Sequence, residues 1–406
     1  MSIPRWLLGT LLLGAMASVG QAAPPLACEA TLLQDVRPWH RLGQRGQGVT
    51  VAILDSGWKG WREARGKILP ADLRTKSFRQ DGQLEARDSL HGLLCAEIVH
   101  TLAPEARLLL VNWEPDVPRS FLAAVRWARS QGARIFSCSM IMPGWSDGEG
   151  GGPIHDELAR LLGEDALFVA SAGNTALRHW GGAFDPDRGG WHQWQPGLSE
   201  NELQPYDSEI RVELVHGEEA VYDLVVVDRL NGAIVGRSRS TGNGSRHAAV
   251  RFLAEEDRRY ALRVGRVRGT GRFHLTVLGA SLADYTPEGS IPFPGDGAKV
   301  LTVAASDERG ERLAYSSCGP VGPTPKPDLA ARVPVPVKGR PLVPFGGTSA
   351  AAPQVAGIAA LLWSAEPRLN ARQVRERLTQ QTAGQGKRHD PKLGYGMLQL
   401  TGREKN

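Results

Sequence analysis

In two stretches of this chain, short apolar segments alternate with segments whose apolar residues recur at the spacing of a helix. This alternation constrains the fold more than any other feature. The first apolar run, residues 47–57, is rich in β-branched side chains and stops at Asp55-Ser56-Gly57, which predicts a buried strand that opens into a turn. Further strands are expected at 107–111, 133–140, 166–173 and 298–306, and helices at 89–103, 120–132, 153–163, 349–365 and 370–380. This alternation predicts a parallel sheet covered by helices on both faces.

The segment between these two stretches has a different pattern. From about residue 185 to 285 no helical period is found, and glycine-rich turns separate short alternating or β-branched runs. Strands are expected at 209–215, 220–228, 247–253, 260–267 and 272–279. Strands at this spacing predict a β-sandwich. The predicted fold class is therefore α/β, interrupted by an inserted all-β domain of sandwich or jelly-roll type.

The N-terminus has the order of a secretory signal peptide. Arg5 precedes an apolar run from Trp6 to Val19, and small residues follow, so cleavage is expected near Ala22 or Ala23. A membrane anchor is the alternative, but the apolar run is too short for a comfortable span. We expect a secreted or periplasmic protein without a transmembrane segment in the mature chain.

The predicted domain organisation follows from these patterns. We expect a signal peptide at 1–23, an N-terminal arm at 24–44, the α/β domain in two parts at 45–184 and 286–400, the inserted β domain at 185–285 and a tail at 401–406.

The charge and the cysteine content argue against a nucleic-acid-binding protein and against a disulfide-scaffold protein. The formal net charge is +5, from 48 basic and 43 acidic side chains that are interspersed, so the sequence has no basic patch that would indicate a nucleic-acid partner. Four cysteines are too few for a disulfide scaffold in a chain of 406 residues. Buried free thiols and disulfides both remain open for Cys28, Cys95, Cys138 and Cys318. A lipoprotein role for Cys28 is disfavoured by the preceding Pro25-Leu26-Ala27.

Four polar residues lie at predicted strand ends or helix starts, from which side chains face a cleft. Asp55 and Asn174 each follow a strand, whereas His91 and Ser349 each begin a helix. Each alone has an ordinary structural explanation, such as a turn residue or a helix cap. Together they offer a hydroxyl nucleophile, an imidazole base, an orienting carboxylate and an oxyanion donor, the groups that serine proteolysis requires.

The local sequences resemble the subtilisin-like (subtilase) serine proteases. The aspartate motif of that family matches Val51–Gly57, its oxyanion segment matches Ala170–Asn174, and its serine motif, Gly-Thr-Ser-x-Ala-Ala-Pro, matches Gly347–Pro353 without a departure. The order Asp, His, Ser along the chain is also that of subtilisin. The resemblance covers roughly residues 45–180 and 290–400.

The resemblance implies a serine endopeptidase that hydrolyses protein or peptide substrates through an acyl-enzyme intermediate. It implies a triad of Asp55, His91 and Ser349, and an oxyanion hole made by Asn174 and the Ser349 amide. It also implies a neutral, fairly apolar pocket lined by Ser139, Met140, Ala170, Ser171, Ala172 and Gly173. No organic or redox cofactor is implied. Structural Ca²⁺ is common in the family, but no acidic cluster identifies a site, and we assign no metal ligand.

Three residues near His91 bear on this interpretation: Cys95, Leu90 and Leu93. Cys95, one helical turn later, is similar to a cysteine of the proteinase K branch. Leu90 and Leu93 stand where the family usually has Gly and Thr. His100 therefore stays as an alternative base. The alternative function is a catalytically weak or silent subtilase-fold protein that binds peptides or partners.

The N-terminal arm and the inserted domain add to the expected organisation. Only residues 24–48 separate the expected cleavage from the first strand, too few for a folded prosegment. The inserted domain is expected to dock substrate or a partner, or only to stabilise the fold. Its tryptophans at 180, 191 and 194 fit core packing better than sugar binding. An α/β-hydrolase lipase is disfavoured for the whole chain, because Ser349 lacks a Gly-x-Ser-x-Gly context and His91 precedes it.

Overall fold

The computed structural model describes residues 36–240, 246–320, 322–340, 343–383 and 388–400. The expected signal peptide with its cleavage point, Cys28 and the tail at 401–406 lie outside these residues. Within the described ranges, no helix combines the length and the apolar character that a bilayer crossing requires.

Strands and helices are spread along the whole described chain. The strands are β1 Thr50–Leu54, β2 Arg74–Phe78, β3 Arg107–Trp113, β4 Ile135–Cys138, β5 Leu167–Ser171, β6 His179–Ala183, β7 Asn201–Pro205, β8 Glu209–His216, β9 Val221–Asp228, β10 Ile234–Arg239, β11 His247–Leu253, β12 Tyr260–Arg268, β13 Arg272–Leu278, β14 Ala280–Leu282, β15 Val300–Ser306, β16 Leu329–Arg332, β17 Thr382–Ala383 and β18 Met397–Leu398. After a helical segment at 36–41, the helices are α1 Trp61–Ala64, α2 His91–Leu102, α3 Pro118–Ser130, α4 Pro153–Leu162, α5 Thr348–Ala365 and α6 Ala371–Gln380.

Nine strands form the large sheet, in the order β17-β18-β16-β15-β5-β4-β1-β3-β2. All neighbours in it are parallel except β17 and β18. Val51 and Ile53 of β1 pack in the core that also contains α2 and α5. Ala52 and Leu54 pack on the other face with α3 and α4. Because both faces of the sheet are covered, β1 consists of a continuous run of apolar residues. The predicted α/β class is confirmed.

Helices α2 and α5 pack unusually closely. A Cβ added at Gly357 of α5 would lie 2.8 Å from the Cβ of Leu102 in α2. The neighbouring alanines of α5, Ala352 and Ala356, are fully buried. Small side chains therefore let the helix that begins with Thr348-Ser349 approach the helix that begins with His91. The first turns of the two helices meet, since the Cys95 thiol contacts the Ser349 carbonyl at 3.5 Å.

The inserted region consists of two antiparallel sheets, β10-β9-β12-β7-β14 and β11-β8-β13-β6. A separate core lies between them and includes Leu214, Leu224 and Phe273. Trp180 stacks on Phe273 with ring centroids 4.6 Å apart, and Trp194 is only 8% exposed. The sandwich is thus confirmed, and these tryptophans pack in it. Its first strand, β6, starts at residue 179, ahead of the expected domain boundary at 185.

Of the four cysteines left open between thiol and disulfide, three lie within the described residues. Cys95, Cys138 and Cys318 are all buried and free. They are small core residues in this fold, and their burial raises the pKa of each thiol.

Candidate active site

The Asp55 carboxylate lies at the carboxyl end of β1 and is fully buried. Its Oδ1 accepts hydrogen bonds from the backbone amides of Ser56 at 2.8 Å and Gly57 at 2.9 Å. Its Oδ2 lies 2.7 Å from Nδ1 of His91. A Cβ at Gly92 would stand 2.7 Å from the Asp55 Cβ. Gly92 is therefore what allows α2 to start against this carboxylate.

The His91 imidazole is the first side chain of α2 and is partly exposed. Burial favours its neutral form, but the charge of Asp55 and the hydrogen bond to it outweigh that effect, and the pKa of His91 is raised. The Phe345 ring packs nearly perpendicular to the imidazole, with ring centroids 5.5 Å apart. Because Nδ1 is engaged by Asp55, Nε2 is the nitrogen left to act as a base.

Ser349 occupies the first turn of α5. Its Oγ lies 3.5 Å from the carbonyl oxygen of Ser139, and the Ser139 hydroxyl donates to the Ser349 carbonyl at 3.0 Å. The loop after β4 and the start of α5 are therefore joined by these contacts between Ser139 and Ser349. His100, the alternative base, lies at the far end of α2 and its pKa is lowered by burial.

The Asn174 side chain has a fixed orientation. Its Oδ1 accepts from the Thr348 amide at 3.1 Å and from the Thr348 hydroxyl at 2.9 Å. The Thr348 hydroxyl in turn accepts from the Gly173 amide at 3.2 Å. With its oxygen used in this way, Asn174 presents its Nδ2 group as the donor. A Cβ at Gly347 would lie 2.9 Å from that nitrogen, and Gly347 has a φ of 77°, so only glycine fits there.

The six residues expected to line a substrate pocket lie on two neighbouring segments, the loop after β4 and the end of β5. Ala170 and Ser171 are buried within β5, and Ala172 and Gly173 follow it. Ser139 contacts the start of α5 as described, and the Met140 sulfur lies 3.8 Å from the Ser56 hydroxyl. Ile141 is an addition to this set, because its Cγ2 lies 3.5 Å from the position a Cβ on Gly173 would take.

The Cys95 thiol lies between the two helix starts. Its sulfur and the ligand atoms of Asp55 and His91 all lie within 4.8 Å of one another. Burial, and next the charge of Asp55, raise the pKa of this thiol well above its ordinary range, so it is a protonated, inert neighbour of the imidazole.

Comparison with known protein families agrees with this geometry. The model of the subtilase family, Peptidase S8, matches residues 46–208 and 238–396, which is most of the chain. The chain belongs to the subtilase family. A thermostable alkaline protease of Halalkalibacterium halodurans is 34% identical to this subtilase over 119 residues. Alkaline elastase YaB of a Bacillus species is 30% identical over 122 residues. Each match covers 31% of the relative, and 29% and 30% of this chain.

Solved structures with the same architecture extend over nearly the full chain. The CspB protease of Clostridium perfringens superposes with a TM-score of 0.65 at 16% identity, covering 90% of this subtilase and 96% of that protein. MycP1 without its N-terminal propeptide gives a TM-score of 0.50 at 17% identity, covering 93% and 98%. At these identities the likeness concerns the fold.

Proposed function

We propose that this subtilase is a secreted serine endopeptidase. The observation that carries the proposal is the 2.7 Å contact between a fully buried Asp55 and His91 at the start of α2, beside the start of α5 with Ser349. Two further features support it: the fixed Asn174 amide, and the family membership of the chain.

In the proposed reaction, His91 takes the proton of the Ser349 hydroxyl, which attacks the peptide carbonyl. Asp55 keeps the neutral imidazole in one tautomer and stabilises its charged form. The oxyanion that develops accepts hydrogen bonds from Asn174 Nδ2 and from the Ser349 amide. His91 then gives its proton to the leaving amine, and water releases the acyl group by the same steps in reverse. The protein's own residues carry each step, and we propose that no cofactor takes part.

The alternative of a silent, peptide-binding member rests on Leu90 and Leu93. Leu93 is only 4% exposed and packs in the core beneath α2, and Leu90 packs at its margin. Both departures therefore serve packing of the helix, and neither displaces His91 from Asp55. This observation favours the peptidase. Docking of substrate by the inserted sandwich stays a prediction, and secretion rests on the N-terminal pattern.

A fluorophosphonate probe tests the proposal directly. We expect stoichiometric labelling of the wild-type chain, with the modified peptide mapped to Ser349, and no labelling of Ser349→Ala. Casein turnover should be lost in the same variant. Because the imidazole must be neutral to accept a proton and its pKa is raised, turnover should fall with decreasing pH at a pH above the ordinary histidine range near 6.5. If the correctly folded wild-type protein neither reacts with the fluorophosphonate nor cleaves casein, the result would instead support the catalytically silent, peptide-binding alternative.

A further inference from the structure

The space beside Gly173, where the loop after β4 meets the end of β5, is closed by side chains from three segments. A Cβ added to this glycine would lie 3.5 Å from Cγ2 of Ile141, 3.1 Å from Cδ of Pro292 and 3.1 Å from Oγ of Ser317. Ile141 belongs to the loop after β4, whereas Pro292 precedes β15 and Ser317 follows it. Carbon atoms pack best at about 3.5 to 4.0 Å, so a single methyl group would already crowd this space.

These contacts limit the width of the expected substrate pocket. A Cβ stands about 1.5 Å from its own Cα, so Cγ2 of Ile141 lies at most about 5 Å from the Gly173 Cα. A carbon atom in contact with both walls of a pocket needs those walls about 7 Å apart. A long side chain of a substrate therefore cannot pass between Ile141 and Gly173, and the Pro292 ring blocks the same position from a second segment.

Hydrogen bonds hold Gly173 in this position. Its amide donates to the Thr348 hydroxyl at 3.2 Å, and its carbonyl accepts from the Ser317 amide at 2.9 Å. The Ser317 hydroxyl is buried and accepts from the Thr175 amide at 3.0 Å. Gly173 can therefore move away from Ile141 only if these hydrogen bonds break.

The opposite wall is also tied to its surroundings. Met142, the residue after Ile141, donates its amide to the Phe293 carbonyl at 2.9 Å. Ser139, two residues before Ile141, is joined to Ser349. Isoleucine is β-branched, so rotation about its χ1 is restricted. A large side chain of the substrate would have to disrupt these contacts in order to enter, whereas a small one would not.

We propose that Ile141 and Pro292 restrict cleavage to sites that follow a small uncharged residue such as alanine. The inference rests on the proposed function, because it takes Asn174 as the oxyanion donor. Gly173 directly precedes Asn174, so the substrate side chain next to the bound carbonyl meets this closed part of the pocket. Ile141, Pro292 and Ser317 are uncharged and offer no ionic partner to a buried acidic or basic side chain.

The test uses two peptide p-nitroanilides that differ only in the residue before the scissile bond, alanine in one and phenylalanine in the other. We expect the wild-type kcat/KM for the alanine peptide to be at least about a hundredfold higher. Ile141→Ala removes Cγ2 and should raise kcat/KM for the phenylalanine peptide at least about tenfold. Ile141→Val keeps Cγ2, so the preference for alanine should persist in this matched control.

A binding measurement separates this inference from the proposed function. Ser349→Ala, which has no nucleophile, is titrated by calorimetry with the same two peptides. If the wild-type chain cleaves neither peptide but this variant binds the alanine peptide at least about tenfold more tightly, the peptidase proposal fails and the closed pocket stands.

Other outcomes overturn the closed pocket. If the wild-type chain cleaves both peptides with equal kcat/KM, or prefers phenylalanine, the chain is a peptidase but its pocket is open to large side chains. An equal preference for alanine in Ile141→Ala and Ile141→Val would show that Ile141 does not set the specificity. If the wild-type chain cleaves neither peptide, equal binding of the two peptides to Ser349→Ala, or binding of neither, also contradicts the inference.

Discussion

At the Asn174 amide, a single hydroxyl helps to decide which end of the side chain faces the cleft. Thr348 donates to Asn174 Oδ1 from both its backbone amide and its Oγ1. Thr348 is 1% exposed. In the proposed mechanism it is therefore a positioning residue, which acts on the oxyanion through the orientation of Asn174.

Thr348→Val should lower kcat and leave KM nearly unchanged. The substitution keeps the shape of the side chain but removes the hydroxyl bond that holds Asn174 Oδ1. Complete loss of an oxyanion donor costs about a hundredfold to a thousandfold. The Thr348 amide still restrains Asn174, so we expect a loss of about tenfold. Steady-state kinetics on a peptide substrate measure both constants.

Thr348→Ser is the matched control, because it keeps the hydroxyl and should retain wild-type kcat. Equal kcat in the Val and Ser variants would show that the hydroxyl does not position Asn174. A rise in KM without a change in kcat would place Thr348 in substrate binding instead.

Asp55, Asn174 and Ser349 were proposed from short local motifs, and His91 was proposed from its place between Asp55 and Ser349 in the chain order of the family. The interactions that orient these residues were not found from the sequence. Nothing in the sequence near Gly92 indicates that it makes room for the Asp55 Cβ, and the pairing of Thr348 with Asn174 joins residues 174 positions apart. Such contacts depend on how strands and helices come together, so local spacing does not contain them.

At the scale of elements, the approach of α2 to α5 depends on one missing side chain. Gly357 faces Leu102, and a Cβ there would meet the Leu102 Cβ at 2.8 Å. That atom is attached to the helix backbone and cannot rotate away. Relief requires the two helices to move apart, together with the first turns that carry His91 and Ser349.

Gly357→Ala should therefore destabilise the protein. Alanine is favoured over glycine in a helix interior by about 1 kcal/mol, whereas overpacking of a close contact costs about 1 to 3 kcal/mol. We expect a net loss of about 1 kcal/mol, measured by urea unfolding, together with lower casein turnover. A gain in stability would show that the helices tolerate the extra methyl group.

The strands and helices expected from periodicity were those buried on one or both faces. Strands β2 and β10 were missed because they lie at the edges of their sheets and carry few buried side chains. β10 reads Ile-Val-Gly-Arg-Ser-Arg, and both of its apolar residues are exposed. An edge strand is defined by hydrogen bonds to one neighbour, which leave no apolar period in the sequence.

At the scale of the whole molecule, the α/β domain is assembled from two parts of the chain on either side of the sandwich. The order of the sequence motifs predicted that these parts combine. The buried polar groups that hold the second part together were not predicted, since they lie in segments without a motif. Lys326 is the clearest case: it is fully buried just before β16. Its ammonium donates to the Val300 carbonyl, to Thr302 Oγ1 at 3.1 Å and to Asp328 Oδ2 at 3.1 Å.

Arg375 of α6 completes this network, with its Nε 2.7 Å from Asp328 Oδ1. Burial, partly offset by Asp328, lowers the pKa of Lys326 to about 8. An unfolded lysine has a pKa of about 10.4. Below pH 8 both states hold the proton, so this group gives no pH dependence. Between the two pKa values only the unfolded state holds it, and the free energy of unfolding must rise with pH.

Lys326 should therefore make the protein relatively more stable as the pH rises from 8 to about 10.4, by up to about 3 kcal/mol. The quantity to measure is the free energy of unfolding of wild type minus that of Lys326→Met, since the subtraction cancels the titration of other groups. A flat difference for Lys326→Met would mean that the buried ammonium keeps its proton throughout, held by Asp328 more strongly than burial opposes it.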